Sequence, residues 1–174
     1  MTFFRKNISQ HGFTLMELLI VMVILSILVA IATGTYSSSS RRGRDNRRKN
    51  DLRSTATALE TYYGDKGRYP TGTNGVIMGC GSGDSSACVW GDTTNGFKDQ
   101  YGTLYMVLMP DDPLSTQTYY YVSSGTSYKL YAKLENTYDA GDGVIQGSGY
   151  SGTNCSTSGT VACTYGIASS NAKP

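Results

Sequence analysis

The sequence contains very little of what an enzyme active site needs. It has 174 residues, of which 16 % are charged and only one, His11, is a histidine. A single histidine excludes a site with several histidine ligands. Because His11 precedes the first long apolar run, it also excludes a Ser/His/Asp triad and a Cys/His pair in the folded part of the chain. Paired carboxylates are the remaining acid and base option, but the acidic residues cluster in turn-like segments. We expect a protein that is not an enzyme.

Aliphatic residues are also scarce beyond the N-terminal region. Apolar residues make up 39 % of the chain, below the usual globular share, whereas glycine (21) and tyrosine (14) are abundant. The length predicts one modest domain without a large aliphatic core.

Positive and negative charges are unevenly distributed. Residues 37–53 contain seven Lys or Arg and two Asp, whereas from residue 54 onward six basic residues stand against ten acidic ones. We interpret the basic stretch as a solvated helix face that touches lipid headgroups and later the acidic patches of neighbouring copies. Nucleic-acid binding usually needs a basic face on the folded domain itself, so no specific nucleic-acid site is expected.

The four cysteines form two pairs with the same spacing. Cys80 and Cys88, like Cys155 and Cys163, are separated by seven residues in Gly-, Ser- and Thr-rich sequence. Four cysteines allow three connectivities, and short loop closure favours the local disulfides 80–88 and 155–163. The alternative is a metal site made of all four thiolates, although zinc ligands are usually about two to four residues apart. Disulfides predict that this part of the chain lies outside the cytoplasm.

A long apolar run dominates the N-terminal region. Residues 13–32 contain one charged side chain, Glu17, and follow a polar segment whose firm positive charges are Arg5 and Lys6. Twenty helical residues at ~1.5 Å each are just long enough to cross ~30 Å of hydrocarbon. We therefore expect this segment to be in a membrane at some stage.

Helical periodicity resumes beyond the basic stretch. The apolar positions that share one face are Leu52, Ala56, Leu59 and Tyr63. Gly64, Gly67 and Pro70 then favour the end of the helix. The prediction is an α+β fold, in which a long N-terminal helix packs its second half against a small antiparallel sheet with disulfide-stapled loops. Its segments are a hydrophobic half (13–36), an amphipathic continuation (37–64) and a loop and sheet domain (65–174).

Two β signals stand in the second half of the chain. Segments 119–122 and 128–134 flank a Gly-containing turn at 123–126 and predict a hairpin. In the second strand Tyr128, Leu130, Ala132 and Leu134 share one side, which we expect to pack on the helix. Residues 71–100 are interpreted as a long surface loop. Residues 141–174 have no firm assignment beyond short strands near 144–145 and 161–165.

The most specific motif is Gly-Phe-Thr-Leu-Met-Glu-Leu-Leu-Ile at residues 12–20. It resembles the class III signal of type IV prepilins and of the pseudopilins of type II secretion. Residues 62–70 and 111–113 are similar to the major-pseudopilin branch. The resemblance implies that a membrane prepilin peptidase cleaves between Gly12 and Phe13, which removes a leader of residues 1–12, and that Phe13 is then N-methylated.

The resemblance also implies a cellular role. The precursor is expected to cross the inner membrane once with its N-terminus inside. An assembly ATPase and a platform protein would then build a helical homo-oligomeric filament, extracellular or periplasmic. Seven basic residues after the span oppose this orientation on the positive-inside rule. We give the motif more weight, because cleavage requires the leader inside and the disulfides require the globular part outside.

Glu17 has a physical interpretation of its own. A carboxylate at mid-bilayer costs ~2.5–3.5 kcal/mol on insertion scales and therefore needs a partner. The α-amino group of Phe13, released by cleavage, supplies a positive charge, and pairing with Glu17 of a neighbouring copy selects one helix register. The alternative is an interfacial residue whose carboxylate reaches the headgroups.

Gly34 and the Thr/Ser-rich residues after it weaken the helix, since glycine costs ~1 kcal/mol relative to alanine. Many members of the family have a proline at this place. We predict that the region melts when the subunit enters a filament. An ordinary Ser-rich helix end is the alternative.

No metal or other cofactor is required by the sequence, but calcium is one candidate. Asp111 with Asp112, or Asp139 with Asp142, offer loop carboxylates, and some major pseudopilins bind calcium. Neither group has EF-hand spacing, and turn-capping aspartates are the alternative.

Two other functions compete with a filament subunit. Ala30-Ile31-Ala32 is an A-x-A sequence at the end of an apolar run, as in a secretory signal peptide, and cleavage after Ala32 would release a small secreted binding protein. A bitopic anchor that does not polymerise is the other alternative.

Overall fold

The computed structural model describes residues 12–81, 85–159 and 161–174, with the backbone alone for residues 32–35. Most of the expected leader, including Arg5, Lys6 and His11, lies outside the described residues. Contacts divide the chain into two compact units, Met1–Ser40 and Arg41–Pro174. The first contains the apolar segment and the second contains the β strands.

One helix, α1 (Leu15–Lys66), supplies most of the regular structure. Thr14 precedes it and caps its first turn. At the other end Gly67 adopts a left-handed conformation (φ +69°), and its N–H donates to the carbonyl of Tyr63 at 2.8 Å. This is a glycine C-cap, because a residue with a Cβ is strained at that φ. Gly64 lies inside the helix, and Gly67 ends it.

The buried face of α1 includes Tyr62, whereas the sequence predicted Tyr63 at that place. Leu52, Leu59 and Tyr62 are 0–1 % exposed, whereas Ala56 is half-buried and Tyr63 is 40 % exposed. Two adjacent tyrosines fit a helical spacing equally well on sequence, at three or four residues after Leu59. Packing against the β strands selects Tyr62.

Eight short strands, arranged in three antiparallel sheets, complete the fold of the described residues. The first sheet contains β1 (Thr71–Thr73), β2 (Val76–Cys80) and β3 (Ser86–Cys88). The second contains β4 (Phe97–Lys98) and β5 (Leu104–Met106). The third contains β6 (Tyr120–Ser123), β7 (Tyr128–Ala132) and β8 (Tyr165–Ala168).

The interpretation of residues 71–100 as one long loop is wrong. Four of the eight strands lie in this stretch, and β1 turns into β2 through Asn74-Gly75, both with positive φ. An Asn-Gly pair is a strong hairpin signal because both residues tolerate that conformation. These strands are hard to predict because they are two to five residues long and lie in a stretch rich in glycine, serine and aspartate.

The predicted hairpin is confirmed by β6 and β7, with Tyr121 opposite Leu130. Tyr128, Leu130 and Ala132 enter the main core, as expected for one side of the strand. On the opposite side Tyr131 is also buried, against the second disulfide. The C-terminal region therefore covers part of the side of β7 that faces away from the main core. The strand predicted near residues 161–165 is observed as β8, which begins at Tyr165. In place of the strand predicted near 144–145, Val144 makes one isolated bridge to Tyr165.

Tyrosine compensates for the shortage of aliphatic side chains in the core. Tyr62 stacks on Phe97 with ring centroids 5.4 Å apart, and Trp90 meets Tyr119 edge-on at 5.5 Å. The hydroxyl of Tyr121 donates to the carbonyl of Pro70 at 2.8 Å. Tyrosine can fill a core without a large penalty when its hydroxyl finds a partner in this way.

Both predicted disulfides are confirmed. Cys80 is bonded to Cys88, and Cys155 to Cys163, with Cα–Cα distances of 5.3 and 5.1 Å. The alternative of a four-thiolate metal site is therefore wrong. The predicted fold class, a long helix packed on small antiparallel sheets with disulfide-stapled loops, is confirmed.

Candidate functional site

The apolar N-terminal segment of α1 is uncovered in the isolated chain. The large apolar side chains between Leu15 and Ile31 are 49–90 % exposed, and Phe13 just before them is 84 % exposed. This helix is long and apolar enough to cross a membrane. Ser26, a polar residue within it, donates its hydroxyl to the carbonyl of Met22 at 2.7 Å. Such a surface needs lipid or protein around it.

The start of the helix places the motif residues. Thr14 is the N-cap, because its Oγ1 accepts the N–H of Glu17 at 3.2 Å. The pair Thr14-x-x-Glu17 has the spacing of a capping box, and a negative charge in the first turn also suits the helix dipole. Gly12 and Phe13 precede the helix and are exposed. The Gly12–Phe13 bond is therefore accessible, and Glu17 lies one turn into the helix.

A buried ionic cluster fixes the second half of α1 to the loops of the globular unit. We call Arg44, Asp45, Arg48, Asp112 and Glu135 the Arg48 cluster. The side chain of Arg48 is fully buried and donates to both oxygens of Asp112 at 2.7 Å, to Asp45 at 2.8 Å and to Glu135 at 2.7 Å. Arg44 forms a second, two-pronged pair with Glu135. Bidentate pairing of this kind gives strong and geometrically specific bonds.

In the Arg48 cluster, hydrogen bonds between opposite charges favour the charged forms of Arg48 and Glu135. Hydrogen bonds, first from Arg44 and then from Arg48, lower the pKa of Glu135 from 4.5 to about 2. Burial opposes the charge of Arg48, but its hydrogen bonds to Asp112 and the other carboxylates outweigh this and raise its pKa above the ordinary value. Glu135 therefore stays ionised beside Arg44 and Arg48 at neutral pH, and the ion pairs of the cluster fix the register of the helix against the loops.

The interpretation of the basic stretch as a solvated face is wrong for three of its seven basic residues. Arg44 and Arg48 belong to the cluster, and Lys49 pairs with Asp139 at 2.6 Å. Their partners are carboxylates of the same chain. Sequence reasoning missed Arg48, although Asp45, Arg48, Leu52 and Leu59 share the three- and four-residue spacing of the buried face.

Two of the four calcium candidates, Asp112 and Asp139, already form ion pairs within the chain. Asp112 binds Arg48 and accepts the N–H of Leu114 at 2.9 Å, and Asp139 binds Lys49. Asp111 and Asp142 are exposed. Within the described residues, no group of three or more His, Cys, Asp or Glu is placed to hold a metal. Asp112 and Asp139 are thus already paired with cations, and calcium binding by either pair of aspartates stays a prediction.

Comparison with known proteins bears on the N-terminal motif first. The family model described as the prokaryotic N-terminal methylation motif matches residues 8–33. This range contains Gly12, Phe13 and Glu17 and most of the apolar segment. No solved structure matches the chain.

Curated relatives extend the similarity beyond the motif. The type IV major pilin protein PilA of Myxococcus xanthus is 35 % identical over 72 residues, which cover 41 % of this chain and 33 % of PilA. Fimbrial protein EcpC of Eikenella corrodens is 41 % identical over 61 residues, 35 % of this chain and 40 % of EcpC. These two alignments therefore span less than half of either relative.

A third relative is matched over most of its length. The type II secretion system core protein G of Pseudomonas aeruginosa is 30 % identical over 128 residues, which cover 71 % of this chain and 82 % of that protein. The alignment reaches well into the globular unit. With the methylation motif, the exposed apolar helix and the helix-on-sheet fold, it shows that the chain belongs to the family of type IV pilins and type II secretion pseudopilins.

Proposed function

We propose that this chain is a non-enzymatic structural subunit that polymerises through its apolar helix into a helical filament. The observation that carries the proposal is the exposure of the large apolar side chains from Leu15 to Ile31 in a chain whose globular unit has its own core. Burial of each such side chain contributes ~1.5–3 kcal/mol. The bilayer covers this surface in the precursor, and the helices of neighbouring copies cover it in the filament.

The second step of the proposal concerns processing. Gly12 and Phe13 are exposed and precede a capped helix, so a peptidase can reach the bond between them without unwinding the helix. Cleavage creates the α-amino group of Phe13, which is then methylated. Sequencing of the mature N-terminus tests this step: methylated Phe13 supports it, Thr33 supports a secreted protein, and an intact Met1 supports a bitopic anchor.

The third step assigns a role to Glu17. In the bilayer or in a filament core its carboxylate has few polar neighbours, because the helix around it is apolar. The α-amino group of Phe13 from a neighbouring copy provides a counter-charge that is available only after cleavage. Both charges are neutralised in one axial register, so the pair selects how adjacent helices align.

Substitution of Glu17 tests this pairing directly. We expect Glu17→Gln to be cleaved after Gly12 and to accumulate in the membrane without forming filaments. Ser26→Ala is the matched control, since it removes a polar group from the same helix without changing its charge, and we expect normal filaments from it. Normal filament number and shape with Glu17→Gln would contradict the role of the carboxylate.

The family comparisons favour a pseudopilus as the form of the filament. The alignment with core protein G of Pseudomonas aeruginosa covers 71 % of this chain, whereas those with PilA and EcpC cover 41 % and 35 %. We propose assembly from the inner membrane by a cytoplasmic ATPase and a platform protein. Deletion of the gene should abolish secretion of folded proteins and leave surface pili intact. Loss of surface filaments with normal secretion would instead identify a pilus subunit.

A further inference from the structure

The ion pairs of the globular unit leave some of the basic stretch without a partner. Three of its basic side chains are neutralised within the chain, as described above. In the part of the chain that the structure describes, Arg41, Arg42 and Arg53 have no ion pair, and the nearest carboxylate to Arg47 is Asp51 at 3.7 Å. All four are exposed. Arg41, Arg42 and Arg53 are therefore available to a partner outside the folded chain.

Two of these arginines are close to the apolar segment along the chain. Arg41 and Arg42 are the first residues of the globular unit, five and six residues after Tyr36. Six helical residues span ~9 Å, slightly more than the ~5–8 Å of a headgroup layer, and the long side chain of arginine can reach back over the difference. Arg53 lies eleven residues further along, ~16 Å more on the same helix.

A tyrosine from a loop that is distant in the sequence lines the same concavity as Arg42. Tyr138 is 89 % exposed and lines a concavity of about 350 Å³ together with Arg42, Asn46 and Asn136. Two carboxylates also line it, but each already has a cation: Asp45 binds Arg48, and Asp139 binds Lys49. The guanidinium of Arg42 is therefore the charge that this concavity offers to a ligand.

We propose that Arg41, Arg42 and Tyr138 form a docking surface for the headgroup phosphates of anionic phospholipids in the membrane-bound precursor. Arginine binds phosphate with two parallel N–H donors, and tyrosine is enriched at headgroup depth because its ring is apolar and its hydroxyl is polar. The inference rests on the proposed function, because it requires the apolar segment to be in the bilayer. The surface orients the globular unit on the membrane before the subunit is extracted into a filament.

Hydrogen exchange of the full chain in lipid nanodiscs tests the proposal. We compare discs of phosphatidylcholine alone with discs that contain phosphatidylglycerol, and follow the amides of residues 136–141. Phosphatidylglycerol should slow their exchange by at least about fivefold, the effect of one basic residue at an anionic surface. Arg41→Gln with Arg42→Gln should abolish the slowing. Arg53→Gln, which removes an equally exposed charge further along the helix, should retain it.

The amides of residues 15–31 separate failure of this inference from failure of the proposed function. If these amides are protected in both lipids but residues 136–141 exchange at the same rate in both, the docking surface does not exist and the membrane-bound subunit stands. Equal loss of the effect in Arg53→Gln would also overturn it, since the attraction would then be general. Free exchange of residues 15–31 in both lipids would refute the membrane-bound subunit itself.

Discussion

Replacement of Arg48 by methionine tests the buried ionic cluster most directly. Methionine preserves much of the length of the side chain but removes all its donors. Glu135 retains its pair with Arg44, and Asp45 retains two backbone N–H donors. Asp112 is affected most, because its fully buried carboxylate then keeps one donor among the described residues, the N–H of Leu114.

The cost follows from that uncompensated charge. Removal of one partner of a buried ion pair typically costs ~3–5 kcal/mol, because the remaining charge has lost both water and its counter-ion. Since domains of this kind are stable by ~5–15 kcal/mol in total, Arg48→Met should bring the globular unit close to unfolding. Arg47→Met is the control: Arg47 is 60 % exposed, and its pair with Asp51 at 3.7 Å is worth less than about 1 kcal/mol.

The single tryptophan provides the assay. Trp90 packs edge-on against Tyr119, whose hydroxyl donates to Asp51 of the helix at 2.6 Å, so its fluorescence reports helix-to-sheet packing. Urea unfolding of the full chain in mild detergent then gives the free energy of unfolding. A loss of less than about 1 kcal/mol in Arg48→Met, at an unchanged slope with urea, would refute the reasoning.

A second substitution separates the orphaned charge from a packing defect. Asp112→Asn in the Arg48→Met background removes the uncompensated charge but retains an acceptor for the N–H of Leu114. We expect the double variant to regain at least about 1 kcal/mol of stability relative to Arg48→Met alone. If it regains none, the loss comes from the shape of the Arg48 side chain and not from the charge left behind.

Three further predictions follow from the helix and its partners. The pKa of Glu135 is lowered from 4.5 to about 2, and a hydrogen bond from Lys66 is the chief cause that lowers the pKa of Asp99 from 3.8 to about 2. The two carboxylates therefore stabilise the folded globular unit above about pH 4.5, and this stabilisation is lost as the pH falls toward 2. Tryptophan-monitored unfolding at pH 7, 4 and 2.5 should reveal a loss of about 2 kcal/mol from Glu135 alone, after allowance for solvent screening, and equal stability at all three would contradict it. Gly67→Ala should destabilise the C-cap by about 1 kcal/mol, whereas Gly64→Ala, inside the helix with open space around it, should stabilise by up to about 1 kcal/mol. Melting near Gly34 predicts a break in helical density between residues 30 and 42 in a filament map, and unbroken density there would exclude it.

Features that depend on neighbours in the chain could be predicted from the sequence. The motif at residues 12–20 combines a small residue, an aromatic residue and an acid at fixed spacing before an apolar run. It can be recognised from the sequence because all its residues are close together in the chain. The disulfides close short loops, so separation along the chain alone favours Cys80 with Cys88. The β6–β7 hairpin has two tyrosine-rich strands around one turn.

Features that depend on distant partners could not be predicted in the same way. Arg48 and Asp112 are 64 residues apart, and Arg48 and Glu135 are 87 apart. From the sequence, Arg48 looks like one of seven basic residues on a solvated face, because a charged side chain is buried only where several carboxylates converge on it. Packing against strands that are distant in the sequence likewise buries Tyr62 and leaves Tyr63 exposed.

The sequence by itself therefore determined that the chain has an apolar helix long enough to cross a membrane, with one acid near its start, an N-terminal methylation motif and two local disulfides. These features depend on composition and on residues that are close together in the sequence, so interactions within short segments are enough to favour them. Only the tertiary structure decided which basic residues are neutralised within the chain and which remain available to lipid or to other copies. That choice depends on where residues 112, 135 and 139 meet the helix, and long-range packing alone brings them there.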